Sequence, residues 1–135
     1  MKFTTHLLQA SLFLFLFCHC SNTKKMSYTY TDGNNNSYRI HSQQLRYSPM
    51  TKALSSSGDY SGGTPQTIDL TKEQVQEIES LITAAFDKKS IHIRQRNMGS
   101  ASISRFVDKN AERVMIRAFC AEQRAIDSYL KKLLK

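Results

Sequence analysis

Much of what would assign this sequence to a catalytic class is missing. It has no pair of carboxylates at a working spacing, no nucleophile accompanied by a base and an orienting group, and no glycine-rich dinucleotide or phosphate loop. These absences point to a non-enzyme without cofactor or metal. Histidine is scarce: of four, His6 and His19 precede residue 20, leaving His41 and His92, whose spacing does not specify a zinc site. Cys120 is the single cysteine beyond residue 20, so a domain that begins after that point holds no internal disulfide. It reads as a small buried side chain between the last strand and the last helix. No helix-turn-helix or basic zipper is present, which removes nucleic acid from the expected partners.

Acidic residues are short in one half only. From Lys88 to Lys135 there are 4 Asp/Glu against 12 Lys/Arg, whereas before Lys88 the two signs balance, and the whole chain carries a formal +8. The basic half is C-terminal, and a partner met there is acidic. At 135 residues and 40% hydrophobic content, the chain has the size of one domain. Removing an N-terminal signal leaves about 115 residues, enough for one core.

What is present is organised around Leu70 to Phe86. Thr71 and Gln74 form a capping-box pattern, with Leu70 and Val75 placed as a hydrophobic staple. Val75, Ile78, Leu81, Ile82, Ala85 and Phe86 recur at three- and four-residue steps and share one helix face. Glu73, Glu77 and Glu79 early in the segment, and Lys88 and Lys89 just past it, suit the helix dipole. So wide an apolar stripe needs a cover, and the flanking alternation offers a sheet.

Tyr28-Thr29-Tyr30-Thr31 and Tyr38-Arg39-Ile40-His41 predict a hairpin around Asp32-Gly33-Asn34-Asn35-Asn36. Tyr28, Tyr30, Tyr38 and Ile40 face inward, and Thr29, Thr31, Arg39 and His41 outward. Asp32, Asn34 and Asn36 alternate like calcium ligands but lack the later acidic ligand, so they read as a turn. Leu45 to Ser48 is a third strand, ended by Pro49. Residues 51–67, rich in Ser and Gly, form a long exposed loop. Its Gly58-Asp59-Tyr60-Ser61-Gly62-Gly63 string is similar to the nucleophile sequence of chymotrypsin-like proteases, but Tyr60 displaces the serine from the amides it needs.

After the central helix, Ile91 to Arg94, Ala101 to Val107 and Arg113 to Phe119 read as strands. In the middle one Ile103 and Val107 are out of phase with Phe106, which predicts a bulge or a face covered on both sides. A second amphipathic helix runs from about Ala121 to Leu134, with Ile126, Tyr129, Leu130, Leu133 and Leu134 as its stripe. The expected fold class is α+β: a mostly antiparallel sheet of about five or six strands with two amphipathic helices packed on one face.

Lys2 and the apolar run Leu7 to Phe17 make residues 1–20 a targeting signal, too short to span a bilayer. The run is followed by Cys18-His19-Cys20-Ser21-Asn22, and here the sequence resembles a small bacterial lipoprotein precursor. The resemblance covers about the first 25 residues. It departs from the usual pattern in placing His19, rather than a small residue, before the cysteine. It implies acylation of Cys20, a polar tether over 21–26, and a single domain over 27–135 anchored to a membrane of the cell envelope and facing periplasm or exterior. Ordinary signal cleavage near Ser21 is the alternative, ahead of an uncleaved anchor.

Two surfaces are candidate binding sites. The loop offers Tyr60 and Ser61. The later strands place His92, Arg94, Arg105 and Arg117, with Arg96, on the solvent face of the sheet, a basic patch for an acidic glycan, a lipid head group or a protein partner. The expected function is that of a non-enzymatic envelope lipoprotein acting as a binding or interaction module. The alternative is a secreted inhibitor-like protein that inserts residues 55–65 into a hydrolase.

Overall fold

A computed structural model describes residues 26–135; the expected signal, Cys20 and residues 21–25 of the expected tether lie outside the described residues, while Met26, expected to end the tether, belongs to the first strand. The tyrosine-rich alternation does what its period requires. Strands β1 (Met26–Thr31), β2 (Ser37–His41) and β3 (Gln44–Ser48) form an antiparallel meander that buries one side chain in two. Strand β4 (Gln66–Asp69) adds to β3, and helix α1 (Lys72–Asp87) follows. Then come the two-residue strand β5 (His92–Ile93), strands β6 (Ala101–Val107) and β7 (Asn110–Ile116), and helix α2 (Ala121–Leu133).

The fold is α+β, with seven antiparallel strands in the order β4-β3-β2-β1-β6-β7-β5 among the described residues. Helix α1 therefore begins beside one edge strand and ends beside the other. Its 16 residues rise about 24 Å, against about 29 Å for six strand spacings, so it must cross the sheet rather than run along a strand. Its capping box is formed: Thr71 Oγ1 accepts from the Gln74 amide at 3.2 Å, and Gln74 Oε1 accepts from the Thr71 amide at 2.8 Å.

Both helices pack on the tyrosine face, with α2 beside α1. Tyr30, Tyr38 and Tyr47 stand in register across β1, β2 and β3, their ring centroids 6.0 and 4.9 Å apart. Ile78 and Ile82 of α1, Ile126 and Leu130 of α2, and Ile103 and Ile116 of the sheet complete the buried core. Each such side chain contributes about 1.5–3 kcal/mol by leaving water. Cys120 is buried and free, a small apolar group at the start of α2. No helix among the described residues is long and apolar enough to cross a membrane.

Three local expectations are corrected. The Ser/Gly loop ends at Pro65 rather than Thr67, because Gln66 and Thr67 pair with Tyr47 and Arg46 as part of β4; together with the short β5 this raises the strand count. Strand β7 starts three residues early, since Asp108, at φ 55°, and Lys109 turn the chain straight back. Phe119 then falls outside it. Strand β6 has neither a bulge nor a second cover: its register with β1 and β7 is unbroken, and Phe106 points to the uncovered face.

Candidate functional site

The alternation that buries Tyr28, Tyr30, Tyr38 and Ile40 must put the intervening residues on the other face, which no helix covers. Two cross-strand rows result. One reads Phe106, Ser27, His41, Gln44; the other reads Ser104, Thr29, Arg39, Arg46. Ser27 and Thr29 are the short members, flanked by Phe106 on one side and by His41 and Arg39 on the other. The dip is a groove of about 460 Å³, and no acidic residue lines it.

The electrostatics of this groove are unfavourable as they stand. Arg39 and Arg46 are direct cross-strand partners, a placement that brings Cβ atoms within about 5.5 Å and destabilises like charges. Among the described residues neither makes an ion pair or a side-chain hydrogen bond. Arg113 projects from the same face, where its Nη2 donates to Ser102 Oγ at 3.2 Å, while Asp69, opposite Gln44, is an acid at the edge. Two adjacent guanidiniums present forked donors to a carboxylate, sulfate or phosphate. The Ser27 and Thr29 hydroxyls and the half-exposed Phe106 ring supply neutral contacts.

The later-strand patch does not assemble on this face. The register sets Arg105 opposite Tyr28 on the helix side. There its guanidinium stacks 4.2 Å from the Phe86 ring centroid and its Nε donates to Glu112 Oε2 at 3.1 Å. His92 pairs with buried Ile116, and its Nε2 donates to the Ala85 carbonyl of α1 at 3.1 Å. Both residues brace the end of α1. Arg94 and Arg117 are exposed but lie just past the ends of β5 and β7; the Arg117 amide continues the pairing to the Ile91 carbonyl. Arg96 donates to the Asp32 carbonyl at 2.9 Å.

The Ser/Gly loop folds against the β1–β2 turn at one end of the sheet. Asn36 is its post: Nδ2 donates to the Tyr60 hydroxyl and to Asp32 Oδ2, and Oδ1 accepts from the Met50 amide. The Tyr47 hydroxyl donates to the Gly62 carbonyl at 2.7 Å. Gly62 has to be glycine, as a Cβ there would fall 2.0 Å from Asn36 Oδ1. Ser61 is exposed, and its Oγ accepts from the Gly63 amide in a local turn. Asp32 Oδ1 accepts from the amides of Asn34 and Asn36 at 2.9 Å, so this carboxylate closes a turn. Tyr60 lines a cleft of about 580 Å³ between the loop and the β5–β6 connection.

A half-buried acid lies close by. The Tyr30 hydroxyl donates to Asp127 Oδ1 of α2 at 2.6 Å. Burial pushes the Asp127 carboxyl above its usual range; the Tyr30 hydrogen bond opposes the shift and the charge of Asp32 adds to it. Burial likewise raises the Tyr30 hydroxyl far above an ordinary phenol, with Asp127 adding, so it stays a donor. Among the described residues no three His, Cys, Asp or Glu side chains converge as a metal site. No protein-family model matches the chain, and no curated protein matches it either.

Proposed function

We propose that the protein is an exported lipoprotein of the bacterial cell envelope, anchored through acylated Cys20, whose domain is a non-catalytic binding module for an acidic glycan. The observation that carries this reading is the Arg39–Arg46 juxtaposition in a groove without acids. Opposed like charges on adjacent strands cost stability, and an anionic ligand turns that cost into affinity. Hydroxyl groups and an aromatic ring beside the cations suit a charged sugar better than a bare ion. The buried polar side chains among the described residues support a structural rather than catalytic use of the interior: Asp32, Asn36, Ser100 and Gln123 are each held by turn or cap hydrogen bonds, and Ser102 accepts from Arg113.

The anchor fits the position of the groove. Ser27, on its floor, is seven residues from Cys20, so a fully extended tether holds it within about 25 Å of the lipid. The test is binding of the full mature chain to polygalacturonate, compared with neutral dextran and with phosphatidylglycerol vesicles. The expected result is salt-sensitive binding to polygalacturonate, weakened about tenfold or more by Arg39→Glu with Arg46→Glu, at an unchanged melting temperature. Preference for the vesicles makes the ligand a lipid head group, and equal binding by the variant removes the groove from the function. Intact mass of membrane and soluble fractions beside Cys20→Ser tests the anchor.

A further inference from the structure

The other end of β1 leads away from the tether. The six residues of β1, Met26–Thr31, lead to the Asp32 turn over about 20 Å, and at this far end three large apolar side chains stand in solvent: Leu54, Met98 and Phe119, exposed by 74%, 98% and 73%. Their exposure is organised. Leu54 and Met98 line the 580 Å³ cleft together with Gly33 and Gly99. Phe119 lines an adjoining hollow of about 190 Å³ that shares those two glycines and adds Arg124 and Lys131. Between the hollows the chain is bare, because Gly33 is pressed so close to Gly99 that a Cβ on it would sit 2.4 Å from the Gly99 carbonyl oxygen.

This saddle is held rigid. Gln123, buried at the start of α2, accepts from the Phe119 amide at 2.7 Å and donates to the Gly99 carbonyl at 2.8 Å. Arg96 ties the β5–β6 connection to the Asp32 carbonyl. Phe119 itself has φ 59°, a conformation that disfavours a bulky side chain. A glycine or asparagine would sit there with less strain, yet an exposed aromatic ring is found against the flank of the saddle. Large apolar groups presented in solvent by a hydrogen-bonded backbone are the anchors from which binding surfaces draw affinity.

The charges select the occupant. Arg96, Arg124 and Lys131 are the exposed charged side chains on the two hollows, while Asp32 and Asp127 are engaged by Asn36 and Tyr30. A second copy of the chain would bring these cations against themselves. We propose that this end of the domain docks an extended acidic segment of another protein. Its main chain crosses the Gly33–Gly99 saddle, where no side chain obstructs it. One apolar side chain lies between Leu54 and Met98, another rests on Phe119, and a carboxylate meets Arg124 and Lys131. The site is separate from the Arg39–Arg46 groove and does not depend on it.

The test uses the full mature chain as bait for a display library of random twelve-residue peptides. Enrichment of peptides that combine Asp or Glu with large apolar residues is expected. The selected peptides should bind Met98→Ser with Phe119→Asn at least about tenfold more weakly, and Arg124→Glu weaker by a similar factor; asparagine tolerates the backbone at 119, and Arg124 is an exposed helix residue, so at least one variant keeps the fold. Arg39→Glu with Arg46→Glu should bind them normally. No enrichment, enrichment of neutral or basic peptides, or selected peptides that ignore both tip variants would overturn the proposal. So would concentration-dependent self-association abolished by the tip variants, which makes a second copy the occupant.

Discussion

Arg105 and Arg39 lie on the two strands that flank β1 and share a side chain but not a situation. Arg105, on the helix side, stacks on Phe86 and pairs with Glu112; Arg39, on the open side, faces Arg46 across the strand gap with no counter-charge. The same contrast holds more widely: the ion pairs among the described residues, Arg105 with Glu112 and Lys88 with Glu122, involve no residue of the groove. Where charge supports the fold it is partnered. Like charges left opposed on an uncovered face cost the fold a little stability instead.

The difference between the faces can be broken most forcefully at neighbouring residues of β6. Ile103 is fully buried beneath the helices, and Ser104 points the other way. Ile103→Ala should cost about 2–5 kcal/mol, by lost transfer energy and a residual cavity. Ser104→Ala should stay within about 0.5 kcal/mol. Urea unfolding of both variants measures the gap; comparable losses would mean that the open face is covered in solution.

A smaller effect is expected where a polar group has been drawn into the helix side. Asp127 has its carboxyl pKa raised above the usual 3.8, chiefly by burial. A raised folded pKa means that this group's contribution is complete below the unfolded value and is lost as pH climbs through the folded one. Asp127→Asn does not titrate and still accepts from Tyr30, so it should gain on the wild type as pH rises from 4 to 7. Tyr30→Phe removes the donor and should cost about 1.5–3 kcal/mol at pH 7 and less at pH 4, where the acid is more protonated. Unfolding free energies at the two pH values decide the matter; an equal loss at both would show that the hydrogen bond is indifferent to the charge.

The elements that were legible in the sequence are those whose signal is local. Helix α1 carried its box, stripe and charge order within one segment, and the β1–β2 hairpin carried four inward and four outward residues in strict alternation. Strand β4 was hidden because an edge strand of four residues has one apolar member, Ile68, and sits at the end of a polar loop. The face taken by Arg105 is not legible locally, because Ile103 and Val107 are out of phase with Phe106; only pairing with Tyr28 fixes the phase. His92 was displaced by the short 3-10 turn Lys89–Ile91, which puts Ile91 in the core and restarts the count. The groove shows the general difficulty. Arg39 and His41 are readable as outward, but their pairing with Arg46 and Gln44 depends on the two-residue turn Ser42-Gln43, which lacks the Gly or Asn that marks such turns and has Ser42 at φ 54°.

The finest test returns to the two arginines. Arg39→Thr removes one of two opposed cations and places a strand-favouring residue beside Thr29, so it should raise stability, by about 0.2–1 kcal/mol. Arg105→Ala should do the opposite, by roughly 1 kcal/mol, through loss of stacking and of a half-exposed ion pair. Salt separates the causes. Repulsion between exposed charges is screened, so the gain in Arg39→Thr should shrink from 20 to 500 mM NaCl. The stacking share of the Arg105 loss is less sensitive and should persist. If Arg39→Thr instead destabilises the domain at every ionic strength, then Arg39 is partnered in solution, the two faces do not differ as described, and the case for an anionic ligand in the groove loses its physical basis.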